Sequence, residues 1–121
     1  MKHTMKLNQN AFERMKQGIK KREYRVNDEK RQKIKVGDTI EFQKLPDLKE
    51  KILMDVEGIE LYNTLQDAIS SHFKDDFENR YTNIKNAVNS FYKNGYCTEE
   101  EIKKYGMIVL KIKYKNLEKE N

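Results

Sequence analysis

Residues Met107 to Tyr114 admit one backbone reading. Ile108, Leu110, Ile112 and Tyr114 fall on one side of a period-two pattern, and Lys111 and Lys113 fall on the other. That is a strand with one apolar face, and such a strand is stable only when other strands pair with it. Candidate partners crowd the other end of the chain. His3 to Leu7 alternates weakly, and Lys20 to Val26 reads as a strand despite its charge. Thr39 to Phe42 follows a Val36-Gly37-Asp38 turn and is rich in β-formers. Ile52 to Tyr62 reads as a long strand, with Gly58 as a bend or bulge. Pro46-Asp47 marks the loop before it.

Helical spacing appears in two places. Phe12, Met15 and Ile19 repeat at one helical face, with Asn10 and Glu13 in capping-box positions and Gly18 as a left-handed stop. In the middle of the chain Leu65, Ala68, Ile69 and Phe73 share a face behind an N-cap at Thr64. Ile84, Val88 and Phe91 define a further helix, and Thr98 to Glu101 is a capping box opening a short one. The expected order is β, α, β, β, β, helices, β. The fold class is therefore α+β: a small mixed β-barrel, its first and last strands joined, with helices packed outside and across one mouth. Residues 1–115 are read as a single domain and the polar residues 116–121 as a frayed tail.

Composition narrows the setting. The chain has 121 residues, enough for one core without metals or disulfides, under a surface rich in charge. Cys97 is the one cysteine, so no internal disulfide can form, and a reducing, cytoplasmic location is expected. No apolar run approaches membrane-spanning length. His3, His72 and Cys97 are not in metal-ligand spacing, and no cofactor loop of the GxGxxG or GxxxxGK[ST] type is present. No metal, cofactor or membrane partner is expected.

The net charge of +5 is unevenly placed. Residues 1–51 hold 15 Lys and Arg against 8 Asp and Glu, whereas the remainder is slightly acidic. The densest stretch, residues 16–35, carries nine basic side chains and three acidic ones. Lys20, Lys21, Arg22, Arg25, Lys30 and Arg31 are phosphate-binding candidates, and Tyr24 could stack on a base. The alternative is a solvated strand and turn that happens to be lysine-rich. Glu23 stands out within this stretch. Flanked by lysine and arginine, it can orient a cation, accept from a base amine, act as a general base, or simply pair with Arg25.

Gly18-x-Lys20-x-x-Glu23-x-Arg25, followed by Asp28-x-Lys30-Arg31-x-x-Ile34-x-x-Gly37-Asp38-x-Ile40-x-Phe42, resembles the ASCH domain. The resemblance continues through Val56-Glu57-Gly58-Ile59 and closes with Tyr105 to Ile112, spanning about residues 3–114. It suggests a small stand-alone member of bacterial or phage type. It implies a PUA-like β-barrel whose cleft is lined by Lys20, Glu23 and Arg25, and a partner that is RNA or a modified nucleoside. One branch of the family looks like an amidohydrolase of N4-acetylcytidine, using a lysine, a threonine nucleophile and a glutamate. Here Lys20 matches the lysine, but Glu23 occupies the threonine's place. Others look like ribonucleases.

Three functions follow. The first is an RNA or modified-nucleotide binding module with a basic cleft around Lys20, Lys21, Arg22, Tyr24, Arg25, Lys30 and Arg31. The second is a metal-independent hydrolase, either ribonuclease or nucleoside amidohydrolase, with Lys20 and Glu23 as its catalytic pair. The third is a protein-interaction module that uses the helical insert 64–104. The sequence does not specify oligomeric state.

Overall fold

Five strands make one sheet: β1 (Lys2–Leu7), β2 (Arg22–Val26), β3 (Thr39–Lys44), β4 (Lys51–Tyr62) and β5 (Met107–Tyr114). In this computed structural model, which describes residues 1–115, their order is β1-β3-β4-β5-β2. The tail 116–121, read above as frayed, lies outside the described residues. β1 runs parallel to β3, with Lys2 opposite Thr39 and Leu7 opposite Lys44. β3 runs antiparallel to β4. The sheet is thus mixed, and with its helices the chain is of the α+β class expected. One expectation is corrected. The last strand does not pair with the first but sits between β4 and β2, and β1 pairs with β3.

Backbone bonds fix how β5 is held. Lys115 N donates to Leu53 O at 3.1 Å, and Gly58 faces Lys111 further along, so β5 is antiparallel to β4. Ile112 N donates to Lys21 O at 3.0 Å, and Asn27 N donates to Gly106 O at 2.9 Å, so β5 is also antiparallel to β2. Gly58 does not interrupt β4, which runs unbroken for 12 residues. Gly106 is needed where it stands. Its φ is +71°, and a Cβ there would come within 2.6 Å of Tyr62 O.

Five helices complete the described chain: α1 (Gln9–Lys16), α2 (Leu65–Ser71), α3 (Phe73–Asp76), α4 (Ile84–Lys93) and α5 (Glu99–Tyr105). Asn8, not Asn10, caps α1, accepting from Ala11 N at 2.8 Å. Asn10 instead accepts from Arg14 Nε at 3.0 Å, and Glu13 reaches Lys44. The predicted helical face ending at Phe73 is cut at His72, which ends α2 and precedes α3. Thr64, Asn83 and Thr98 each cap a helix through the side chain, and Thr98 with Glu101 completes the capping box.

The described residues form two compact units. The first comprises residues 1–23, 34–59 and 110–115. It buries Met5, Leu7, Phe12, Met15, Ile40, Phe42, Met54, Val56, Leu110 and Ile112, with α1 against β3. The second comprises residues 24–33 and 60–109, with α2 against α4. Its core joins Tyr24, Val26, Leu65, Ala68, Ile69, Phe77, Ala87, Val88, Cys97, Ile102, Met107 and Val109. The aromatics Phe73, Tyr81, Phe91 and Tyr92 pack against that core, so the insert's aromatic character serves burial.

Two predictions test this frame. Leu65 is fully buried in the second core. Leu65→Ala therefore lowers unfolding free energy by about 2–5 kcal/mol in urea titration. In the first unit, His3 Nε2 lies 2.8 Å from Asp38 Oδ2, where the carboxylate can only accept. That bond, helped by the Lys35 backbone N–H and opposed by desolvation, holds the Asp38 carboxyl at about 2, below its ordinary 3.8. A depressed folded-state pKa contributes stability that is complete above 3.8 and lost as pH falls through about 2. The stability difference between wild type and Asp38→Asn therefore shrinks across that window, and a constant difference would contradict the assignment.

Candidate functional site

Helix α1 ends in a tight, fully bonded turn. Gly18 N donates to Met15 O at 3.0 Å and Ile19 N to Arg14 O at 2.9 Å, the paired bonds of a Schellman cap. Gly18 adopts φ +79°, the left-handed geometry that a glycine accepts without strain. Lys20 N donates to the same Arg14 carbonyl at 3.1 Å. The backbone leading into β2 is thereby pinned just where the first candidate site residue occurs.

Lys20 turns its side chain back onto the strand it precedes. Its Nζ donates to Arg22 O at 2.8 Å and lies 3.1 Å from Glu23 Oε1. The Lys20 side chain keeps 13% of its surface exposed and that of Glu23 only 6%. Among the described residues, Glu23 is the one charged residue that is buried. Taking a carboxylate out of water costs several kcal/mol unless it is paired, so Lys20 is part of what makes Glu23 tolerable. The i, i+3 pairing forms because Lys20 precedes the regular strand. In a continuous strand the two would point to opposite faces.

The other predicted residues are placed differently. Lys21 is exposed, with its carbonyl tied to Ile112, and Arg22 is half-buried. These four residues, Lys20 to Glu23, belong to the first unit. Tyr24, Arg25, Lys30 and Arg31 belong to the second. Tyr24 was expected to stack on a base, and here the structure corrects the sequence. The residue is 8% exposed, its ring lies 5.0 Å from the Phe77 ring and 6.4 Å from that of Phe91, and its hydroxyl donates to Asp76. It is a core residue with a satisfied polar tip. Arg25 is half-buried and Lys30 is exposed. Arg31 is held by Asp28 at 2.7 Å, within a 3-10 turn spanning Arg31–Lys33.

Cys97 is buried, and that burial, with Glu101 nearby, pushes its thiol up to about 11. It is a neutral core thiol at ordinary pH, so the helix start beside it yields no nucleophile. His72 Nε2 lies 2.6 Å from Glu60. Among the described residues, no group of three or more His, Cys, Asp or Glu could hold a metal ion. Nor is any described helix long and apolar enough to cross a membrane.

Comparison with known proteins agrees with this architecture. Among curated proteins nothing matches. The chain is similar to a hypothetical protein, PH0355, known from a crystal structure. The TM-score is 0.80 and the identity 30%, over 95% of this chain and 100% of that one. It is also similar to protein PF0455 from Pyrococcus furiosus, solved by NMR. There the TM-score is 0.71 and the identity 28%, over 94% of this chain and 97% of that one. The family model for the ASCH domain matches residues 5–116, nearly the whole length. The chain belongs to the ASCH domain family.

Proposed function

We propose that this protein binds RNA or a modified nucleotide through the segment Lys20 to Glu23. The observation that carries the reading is the nearly buried Lys20–Glu23 pair, 3.1 Å apart, beside an exposed Lys21. ASCH domains are PUA-like and are generally thought to bind RNA. Of the three donors of the Lys20 ammonium, one goes to Arg22 O at 2.8 Å and another faces Glu23 Oε1 at 3.1 Å. Glu23 supplies acceptors for a base amine, while Lys21 supplies long-range attraction to phosphate. A competing structural account also exists. β2 stands at one end of the sheet order, and charged side chains protect such an edge from pairing with other chains. Edge protection, however, calls for solvated charge and gives no reason to bury a carboxylate.

A hydrolase reading rests on the same pair, with Glu23 as general base and Lys20 stabilising the developing negative charge. It requires metal-independent turnover that Glu23→Gln abolishes in a folded protein. Absence of turnover over a panel of RNAs and acylated nucleosides removes it.

The binding reading is tested by fluorescence polarisation with a short single-stranded RNA at several salt concentrations. Affinity should fall linearly on a log–log plot. Lys21→Ala, at an exposed position, should reduce the slope by about 0.7 while leaving the melting temperature unchanged. Lys20→Ala should abolish binding. Because it also strands the Glu23 carboxylate, Lys20→Arg is measured alongside it and should retain the fold. Salt-independent affinity, or undiminished affinity in both Lys20 variants, would rule the proposal out.

A further inference from the structure

Tyr24 cannot offer its ring to a ligand, which leaves the Lys20–Glu23 region without the aromatic surface that single-stranded nucleic acid usually requires. The first unit contains three aromatic side chains among its described residues: Phe12, Phe42 and Tyr114. Phe12 and Phe42 are completely buried, whereas Tyr114 keeps 49% of its surface in solvent. Its location follows from the backbone. Ile112 N donates to Lys21 O, so the end of β5 runs beside the segment that carries Lys20. Two residues on, the Tyr114 hydroxyl donates to Lys16 O and approaches Met15 O at 3.5 Å. The ring is therefore anchored at the C-terminal end of α1, immediately before the Gly18-Ile19-Lys20 turn. Ile19 within that turn is itself 57% exposed.

A solvent-exposed tyrosine at the end of a strand is commonly unconstrained. This one is tethered through its hydroxyl to a helix carbonyl, which limits the rotamer freedom it would lose on stacking. Ile19 adds a second exposed apolar side chain on the adjoining turn, whose backbone is held by the bonds of the α1 cap. Lys21, exposed on the same short segment, supplies a cation for the backbone of the same ligand. Aromatic and apolar surface interleaved with lysine is the chemistry that recognises an unstacked nucleobase and its phosphate.

We propose that Tyr114, flanked by Ile19, is the base-stacking residue of this protein and that its occupant is a nucleobase of single-stranded RNA. This rests on the RNA-binding reading of Lys20 to Glu23, and the test separates the two. Wild type, Tyr114→Ala and Tyr114→Phe are titrated with a short single-stranded RNA and with the same strand made abasic. Tyr114→Ala should weaken RNA binding on the order of tenfold and change abasic binding by less than about twofold, while Tyr114→Phe, which keeps the ring but lacks the tethering hydroxyl, loses less than Tyr114→Ala. In wild type, the Tyr114 ring protons should shift upfield by NMR as RNA is added, a readout independent of whether the alanine variant folds. RNA affinity unchanged in Tyr114→Ala, equal losses on both strands, or ring resonances unmoved at saturating RNA would overturn the assignment and leave the Lys20 reading standing. If wild type binds neither strand, both fall together.

Discussion

The antiparallel pairing of β5 with β2 constrains everything that concerns function. Two of its bonds, Ile112 to Lys21 and Asn27 to Gly106, belong to a single register with no slip between them. A one-residue shift of β2 would exchange its faces. Tyr24 and Val26 would leave the apolar cluster, and Glu23 and Arg25 would enter it. Burying a carboxylate and a guanidinium among Leu65, Ile69 and Phe77 costs far more than the shift could return. The apolar residues of β2 thus select the register, and the register in turn decides where the charged residues stand.

The same bonds explain how so charged a segment can be a strand at all. Residues 107–110 are all buried, a continuous apolar run that needs partners on its edges. β4 and β2 supply them. β2 contributes Tyr24 and Val26 to burial and places Lys20, Lys21 and Arg22 at or before its beginning, where the Lys21 carbonyl already accepts from Ile112 N. Lys20 is freed from strand geometry by the α1 cap and so can reach Glu23, three residues on. A salt bridge that a regular strand forbids is made possible by a helix stop.

Most of the secondary structure was legible from periodicity. The strand at Met107, the long strand ending at Tyr62, the start of the helix behind Thr64 and the helix behind Thr98 occur as read, because each combines a clear apolar period with a recognisable start signal. The errors have local causes. Asn8 and Asn10 are equally good capping residues, and the choice between them depends on which one meets the Ala11 amide. The face running from Leu65 to Phe73 has helical spacing throughout. The break at His72 carries no glycine or proline to announce it.

The candidate site divides along the same line. Sequence by itself determined which residue types are available: a lysine-rich stretch after a glycine stop, with Glu23 inside it, in a chain whose residues 5–116 match the ASCH domain. These are local properties of composition and spacing, and they survive any tertiary arrangement. Which aromatic is exposed is not such a property. Tyr24 lies within the basic stretch and is buried, while Tyr114 lies 90 residues away on an apolar-looking face and is half exposed. Only the tertiary structure could decide that. Burial depends on what the rest of the chain places over a side chain, and period-two alternation does not record where a strand outruns its cover.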